Sequence, residues 1–343
     1  MKALLTVALL GAAVLSGCSS ASTPVAVSQA ATAPAEPAAS TPASAPVVAI
    51  TPSSTTPVAT ADATPAAASN GSSSPETIST PASTSVPKHW WYPNWSSSGV
   101  KGTAAAWLSS WPQPKVFTAT GHGPLSGHTI LIDPGHNIGN STHTSQINRH
   151  YWVGLDKICN TTGTATDHGF PEATYTFDVA QRLTRILTAA GAKVVLTRDQ
   201  NSHSTYGPCI QARGLLGGEV GADLGVSIHA DGGPSSGHGA FVYSPGVKPG
   251  YTSSSKAKQS YRLAGDVLKG LAAHGQVGST YLHPNIAPDK QQGTLNVASI
   301  PIVIVETLNM RNAGDAAKAE SASGRQSIAA GLAAGIERWI AGR

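Results

Sequence analysis

From His128 onward the chain alternates two hydrophobic rhythms. Short apolar, β-branched runs occupy His128 to Ile132, Lys193 to Thr197, Leu224 to Ile228, Ala240 to Tyr243 and Ile302 to Val305. Runs of this length, bounded by turn-forming residues, predict strands. Between them the spacing changes: Tyr175, Val179, Leu183, Ile186 and Leu187 recur at three- and four-residue intervals and stop ahead of Gly191. Tyr261, Leu263, Val267, Leu268 and Leu271 mark a second helix over Lys256 to Ala273, and the alanine-rich stretch from about Asp315 to Ile340 predicts one or two more. Such alternation predicts an α/β fold, an open mixed and mostly parallel sheet with helices on both faces.

Ahead of this region the pattern is different. Met1 and Lys2 are followed by an apolar run from Ala3 and then by Leu15-Ser16-Gly17-Cys18. A run of about 13 apolar residues is too short to span a bilayer comfortably and fits a signal-peptide core. The small residues before Cys18 match a bacterial lipobox, which predicts a lipoprotein signal peptide at residues 1–18 and a lipidated Cys18. A plain secretory signal with an incidental cysteine is the alternative. Either way the mature protein is expected outside the cytoplasm; with Cys18 lipidated it is held in the cell envelope, touching membrane only through that lipid.

Residues 19–87 are rich in Ala, Ser, Thr, Pro and Val, contain no aromatic residue, and carry charge only at Glu36, Asp62 and Glu76. A segment of that composition cannot bury enough apolar surface to offset its ordering entropy, so it is expected to be a disordered tether. Residues 88–127 are expected to form a tryptophan-rich arm: Trp90, Trp91, Trp95, Trp107 and Trp111 fall here, leaving only Trp152 and Trp339 of the seven elsewhere. The arm fits either packing of aromatics over the domain that follows or a surface for glycan or membrane contact. Residues 128–343 make up the folded domain.

With Cys18 assigned to lipid, Cys159 and Cys209 remain of the three cysteines. An even pair in an oxidising compartment predicts a disulfide, and closing a loop of about 50 residues is worth roughly 4 kcal/mol in the chain-entropy model. Two free thiols or two metal ligands are the other readings, and no zinc-finger spacing surrounds either cysteine. Net charge is +4 with histidine neutral. There is no phosphate-binding glycine loop and no basic run, so neither a nucleotide nor a nucleic-acid partner is expected. A monomer is the expectation.

Three polar residues stand at the ends of predicted strands. His136 follows Ile130-Leu131-Ile132-Asp133-Pro134-Gly135, His229 closes Val226-Ser227-Ile228, and Glu306 closes Ile302-Val303-Ile304-Val305. If the strands are parallel, these side chains gather at one edge of the sheet, where open α/β folds place their sites. Glu172 begins the helix that follows. Two imidazoles and a carboxylate form a ligand set typical of catalytic zinc, with a fourth position left for water. Each residue also has an ordinary reading. Glu172 suits a helix start, His229 a hydrogen-bonded strand end, and Glu306 a pair with Arg311.

Together these residues resemble a known family. Asp133-Pro134-Gly135-His136, Glu172 at the head of its helix, Ser227-Ile228-His229-Ala230-Asp231 and Val305-Glu306 occur in the order found in zinc-dependent N-acetylmuramoyl-L-alanine amidases of the Amidase_3 type. Leu196-Thr197-Arg198-Asp199, Arg213 and Asn312 also fall where that family has similar residues. The resemblance spans roughly His128 to Ile340 and is nearest the secreted actinobacterial members, including the paired cysteines. It implies one Zn2+ per catalytic domain held by His136, Glu172 and His229, with Glu306 as the catalytic glutamate. It also implies peptidoglycan or muropeptides as substrate, cut at the amide between N-acetylmuramic acid and L-alanine. Two departures stand out. About 35 residues separate His136 from Glu172, which leaves His143, His150 and above all His168 as rival ligands. Thr307-Leu308-Asn309 also replaces the usual Gly-Phe pair after Glu306. A zinc peptidase cutting within the stem peptide, and a non-catalytic wall-binding lipoprotein, are the competing functions. The stretch from Gly246 to Gly293 is expected to hold either an ordinary surface helix or one that blocks the cleft.

Overall fold

The computed structural model describes residues 107–343, together with the backbone of one short strand ahead of them, β1 (Ser83–Ser85). The signal peptide, Cys18, most of the tether and Trp90, Trp91 and Trp95 lie outside the described residues. The strands that follow are β2 (Lys115–Phe117), β3 (Thr129–Pro134), β4 (His150–Trp152), β5 (Asp156–Ile158), β6 (Lys193–Leu196), β7 (Leu224–Asp231), β8 (Phe241–Pro245), β9 (Ile286–Asp289) and β10 (Ile302–Asn309). The helices are α1 (Thr144–Ile147), α2 (Glu172–Ala189), α3 (Ile210–Glu219), α4 (Ser254–Ala273), α5 (Gly293–Val297), α6 (Ala313–Glu320) and α7 (Ala322–Ala341).

One sheet runs in the order β1-β2-β6-β3-β7-β10-β8-β9, and β4 and β5 form a separate hairpin. Its centre, β6-β3-β7-β10, is wholly parallel. β2 joins antiparallel to β6, so part of the segment ahead of His128 belongs to the sheet. β8 is antiparallel to β10, and β9 runs parallel to β8. The two-residue period of a strand divides its side chains between faces. Ile130, Ile132, Val194, Leu196, Val226, Ile228, Val303 and Val305 pack under α2, α4 and α7. Leu131, Val195, Ile302 and Ile304 point the other way, towards Ala212 and Leu216 of α3 and Leu295 of α5. Helices therefore cover both faces, and the leading parts of the central strands are mostly apolar because neither face meets water there.

α2 forms where the sequence predicts it. Tyr175, Val179, Leu183 and Leu187 make its buried stripe, and the chain leaves through Gly191 at φ 99°, a left-handed conformation that glycine adopts without steric cost. The alanine-rich end is two helices, α6 and α7. α4 packs one face against α7 and the sheet on the side opposite α3, with Tyr261 exposed on the other, so the helix between Gly246 and Gly293 is an ordinary surface helix and does not block the cleft. Of the described tryptophans in the arm, Trp111 is buried in the α3-side core and Trp107 meets it edge-on, with ring centroids 5.5 Å apart. Among the described residues no helix is long and apolar enough to cross a membrane.

Candidate metal centre

The parallel register carries the site. His229 and Glu306 sit side by side on β7 and β10, and Asp133 and Pro134 of β3 pair with Ser227 and Ile228. Both strands run past the ends of their apolar runs, to Asp231 and Asn309, because ladder pairing is a backbone property that continues under polar side chains. By the period of two, Ser227, His229, Ile304 and Glu306 face the α3 side. His136 follows β3 in a left-handed turn at φ 52°. Glu172 is the first residue of α2, whose N-terminus arrives at the same sheet edge.

His136, Glu172 and His229 converge, each offering a ligand atom, and these atoms all lie within 4.8 Å of one another. His136 Nε2 is 3.3 Å from Glu172 Oε2, and His229 Nδ1 is 3.0 Å from Glu172 Oε1. Donors on a tetrahedral ion with bonds of about 2.0–2.2 Å stand roughly 3.3–3.5 Å apart, so the set fits a metal of that kind. The supporting contacts also suit this. His136 Nδ1 faces the Thr161 carbonyl at 3.1 Å; a carbonyl only accepts, so Nδ1 carries the proton and Nε2 keeps its lone pair for a ligand. Thr164 N–H and Ala230 N–H donate to the two oxygens of Glu172. Gly163, at φ 80°, leaves room for both: a Cβ there would lie 2.7 Å from His136 Cδ2 and 2.8 Å from Glu172 Oε2. A Cβ on Gly135 would lie 2.5 Å from the His229 ring.

The protein's own charges prepare the cluster. Burial works to raise the Glu172 pKa, but His136 and His229 outweigh it and hold the carboxyl far below its usual range. Burial works to lower the His136 pKa, and the Glu172 carboxylate reverses this and raises it. At His229 burial wins, and the imidazole is held neutral, the form that binds metal. Glu306 stays outside the three-donor set. Its Oε2 is buried without a hydrogen-bond partner, and burial, then repulsion from Glu172 and Asp231, raises its pKa well above the ordinary carboxylate value.

A second buried network holds the loop that carries His136. Asp133 accepts from Arg213 Nη1 at 2.6 Å, Ser227 Oγ at 2.6 Å and Thr197 Oγ1 at 2.5 Å. Arg213 also donates to the carbonyls of Pro134, His136 and Pro208. Arg198, fully buried, donates to the carbonyls of Pro134, Gly135 and Ala173. The two arginines thus tie the β3 exit to the start of α2.

The rival ligands do not join the site. His168 pairs with Glu320, His150 with Asp156, and His143 stacks on Tyr206. Arg311 pairs with Asp167 and leaves Glu306 alone. Asn312 caps α6, accepting from Gly314 and Asp315 N–H. The disulfide joins Cys159 to Cys209. Sequence reasoning assigned no part to Asn160, Thr161, Gly163 or Thr164. They lie in a loop with no hydrophobic rhythm, where Asn160-Thr161-Thr162-Gly163 signals a turn but not what the turn touches. The site opens into a cleft of about 420 Å³, whose lining includes Lys157, Ile158, Ile210, Gln291, Gln292 and Thr294.

Two imidazoles and one carboxylate that could hold a metal ion, with a free glutamate beside them at one edge of an α/β sheet, are a set suited to metal-assisted hydrolysis. Residues 130–338 match the Amidase_3 family, described as N-acetylmuramoyl-L-alanine amidase, and the chain belongs to that family. It is 33% identical over 221 residues to an N-acetylmuramoyl-L-alanine amidase of Mycobacterium tuberculosis, covering 63% of this chain and 88% of that one. Among solved structures it resembles the N-acetylmuramyl-L-alanine amidase Ami1 of Mycobacterium smegmatis, with 32% identity, a TM-score of 0.60, and 64% and 99% of the two chains covered. Ami1 of Mycobacterium abscessus is similar at 34% identity and a TM-score of 0.58, with 63% and 99% covered.

Proposed function

We propose that this chain is an exported N-acetylmuramoyl-L-alanine amidase that cuts peptidoglycan between N-acetylmuramic acid and the L-alanine of the stem peptide. The observation that carries this reading is the convergence of His136, Glu172 and His229 beside Glu306 in one cleft. His136, Glu172 and His229 would hold one zinc ion. Bound there, zinc supplies a Lewis acid for the scissile carbonyl and lowers the pKa of water towards 7.

The protein's residues do the rest. Thr161 and Asn160 fix the His136 ring, and Thr164 and Ala230 fix the Glu172 carboxylate. Glu306, one strand across from His229, takes a proton from the attacking water and delivers it to the departing alanine nitrogen. Its unpartnered Oε2 has no competing hydrogen bond to break first. Water adds to the lactyl carbonyl, the C–N bond breaks, and the products are a free lactyl acid and an intact stem peptide bearing a new amine.

In this reading residues 1–18 direct export, Cys18 carries the lipid anchor, residues 19–87 are the tether, 88–127 the arm and 128–343 the catalytic domain of a monomer. Mass spectrometry of digested muropeptides, with and without a chelator, tests the reaction. Intact stem peptide beginning with L-alanine is expected, and its loss with chelator. Fragments cut inside the stem identify a peptidase instead, and no products at all, a wall-binding lipoprotein. Replacing Cys18 by alanine should release the protein from the membrane fraction.

A further inference from the structure

The cleft holds one charged side chain that this chemistry does not use. Lys157 lies on β5, paired across the hairpin with Tyr151, and lines the cleft beside the three-donor set. Among the described residues its ammonium has no ion pair or hydrogen bond. The other charges there are occupied. Arg213 is paired with Asp133 at 2.6 Å, Glu172 faces the two histidines, and Glu306 serves the reaction.

Lys157 is also well anchored. Two residues on, Cys159 is bonded to Cys209, and its N–H donates to the Arg149 carbonyl at 2.8 Å while its own carbonyl accepts from Ile210 N–H at 2.8 Å. Four residues on, Thr161 holds His136. The strand that carries Lys157 therefore continues directly into the support of the metal donors. Gln291 and Gln292, uncharged amides suited to peptide groups, line the same cleft. An unpaired cation in a cleft that also presents amides is complementary to a carboxylate flanked by peptide bonds.

We propose that Lys157 is a specificity-determining residue that pairs with a free carboxylate of the stem peptide next to the cut bond. The proposal rests on the amidase reading. Lys157 lines the cleft together with His136, His229 and Glu306, so the substrate it meets is the part beside the scissile amide. The nearest peptide carboxylate is then the α-carboxyl of the acidic residue after alanine, roughly 3.5 Å further along an extended chain. Amidation of that carboxyl removes the charge while changing its shape little.

The test compares two muramoyl peptides that differ only in D-glutamate or its α-amide, D-isoglutamine, after alanine. The full zinc-loaded chain should prefer the acid about fivefold to tenfold in kcat/KM, mainly through KM. Lys157→Gln should erase that preference, leaving zinc content and melting temperature unchanged. Lys157→Glu should reverse it. The two released dipeptides, used as competitive inhibitors, should show the same ratio without the chemical step. A preference that survives Lys157→Gln, or a parent enzyme indifferent to amidation, overturns the proposal. Failure of the zinc-loaded parent to cut either peptide overturns the amidase reading itself, and the proposal falls with it.

Discussion

Replacing Arg213 by methionine tests the network that holds the metal-donor loop. Arg213 is 3% exposed and donates to Asp133 Oδ1 at 2.6 Å and to the carbonyls of Pro134, His136 and Pro208 at 2.7, 2.8 and 2.9 Å. Methionine fills much of the same apolar space but leaves Asp133 buried with only the Ser227 and Thr197 hydroxyls. Breaking a buried pair by removing one partner costs about 3–5 kcal/mol. At roughly 2–4 °C per kcal/mol for a domain of this size, the melting temperature should fall by about 6–20 °C. The pH dependence gives a sharper signature. In the parent, burial acts to raise the Asp133 pKa, but Arg213, Ser227 and Thr197 outweigh it and the value is lowered. Its contribution is therefore complete above the unfolded value of about 3.9 and is lost as pH falls through the folded one. Without the guanidinium burial prevails, the folded pKa rises above the unfolded one, and the variant loses stability as pH rises through it. Thermal melts of both metal-free proteins at about pH 5 and about pH 7.5 should thus show a gap that narrows on acidification. Adding Asp133→Asn should recover part of the loss. A deficit below about 1 kcal/mol, or a gap that does not narrow, refutes the reasoning.

Glu306→Gln should lower the rate of stem-peptide release by about 10²–10⁴-fold with zinc content unchanged; loss of zinc instead would make Glu306 a ligand. Because the Glu306 pKa is raised, its share of stability is present below the unfolded value and lost as pH rises through the folded one. Metal-free Glu306→Gln should therefore gain on the parent towards alkaline pH, read from paired melts. Gly163→Ala places a Cβ 2.7 Å from His136 Cδ2 at a backbone φ of 80°, and should weaken zinc binding by about 10–100-fold, as changes around metal ligands do; a competition titration with a chelator measures it. Replacing Cys159 and Cys209 by serine should cost about 2–5 kcal/mol in urea unfolding, and a midpoint equal to the parent's would count against a stabilising disulfide.

How much of this was legible beforehand differs from element to element. α2 and α4 and the strands β3, β6, β7 and β10 were readable because each has a local rhythm that one packing face imposes. α3 was not. It carries Gly214, Gly217 and Gly218, which read as breakers, and little apolar stripe. Its glycines serve the packing instead: a Cβ on Gly214 would lie 2.3 Å from the Thr294 carbonyl oxygen, and one on Gly217 2.3 Å from Ile300 Cδ1. β2 and β9 are short strands towards the two ends of the sheet that exist through their pairing with β6 and β8. The spacing predicts a helix from Lys256 but gives no sign that this lysine is buried. Its ammonium donates to the carbonyls of Leu295, Asn296 and Ala298, with burial lowering its pKa to about 8.

The sequence by itself determined the class of fold, the donor types and the order in which they occur, since these depend on local periodicity and on what each side chain can ligate. It also identified the cysteine pair by leaving no other partner in the domain. Only the tertiary structure decided which histidines meet Glu172. His168 is four residues from Glu172 and points away to Glu320. His136 and His229 come from far along the chain and lie against it. The reason is register. Parallel pairing of β3, β7 and β10 and the period of two set which side chains share a face and an edge. Those pairings are made between residues too distant in sequence for any local pattern to carry them.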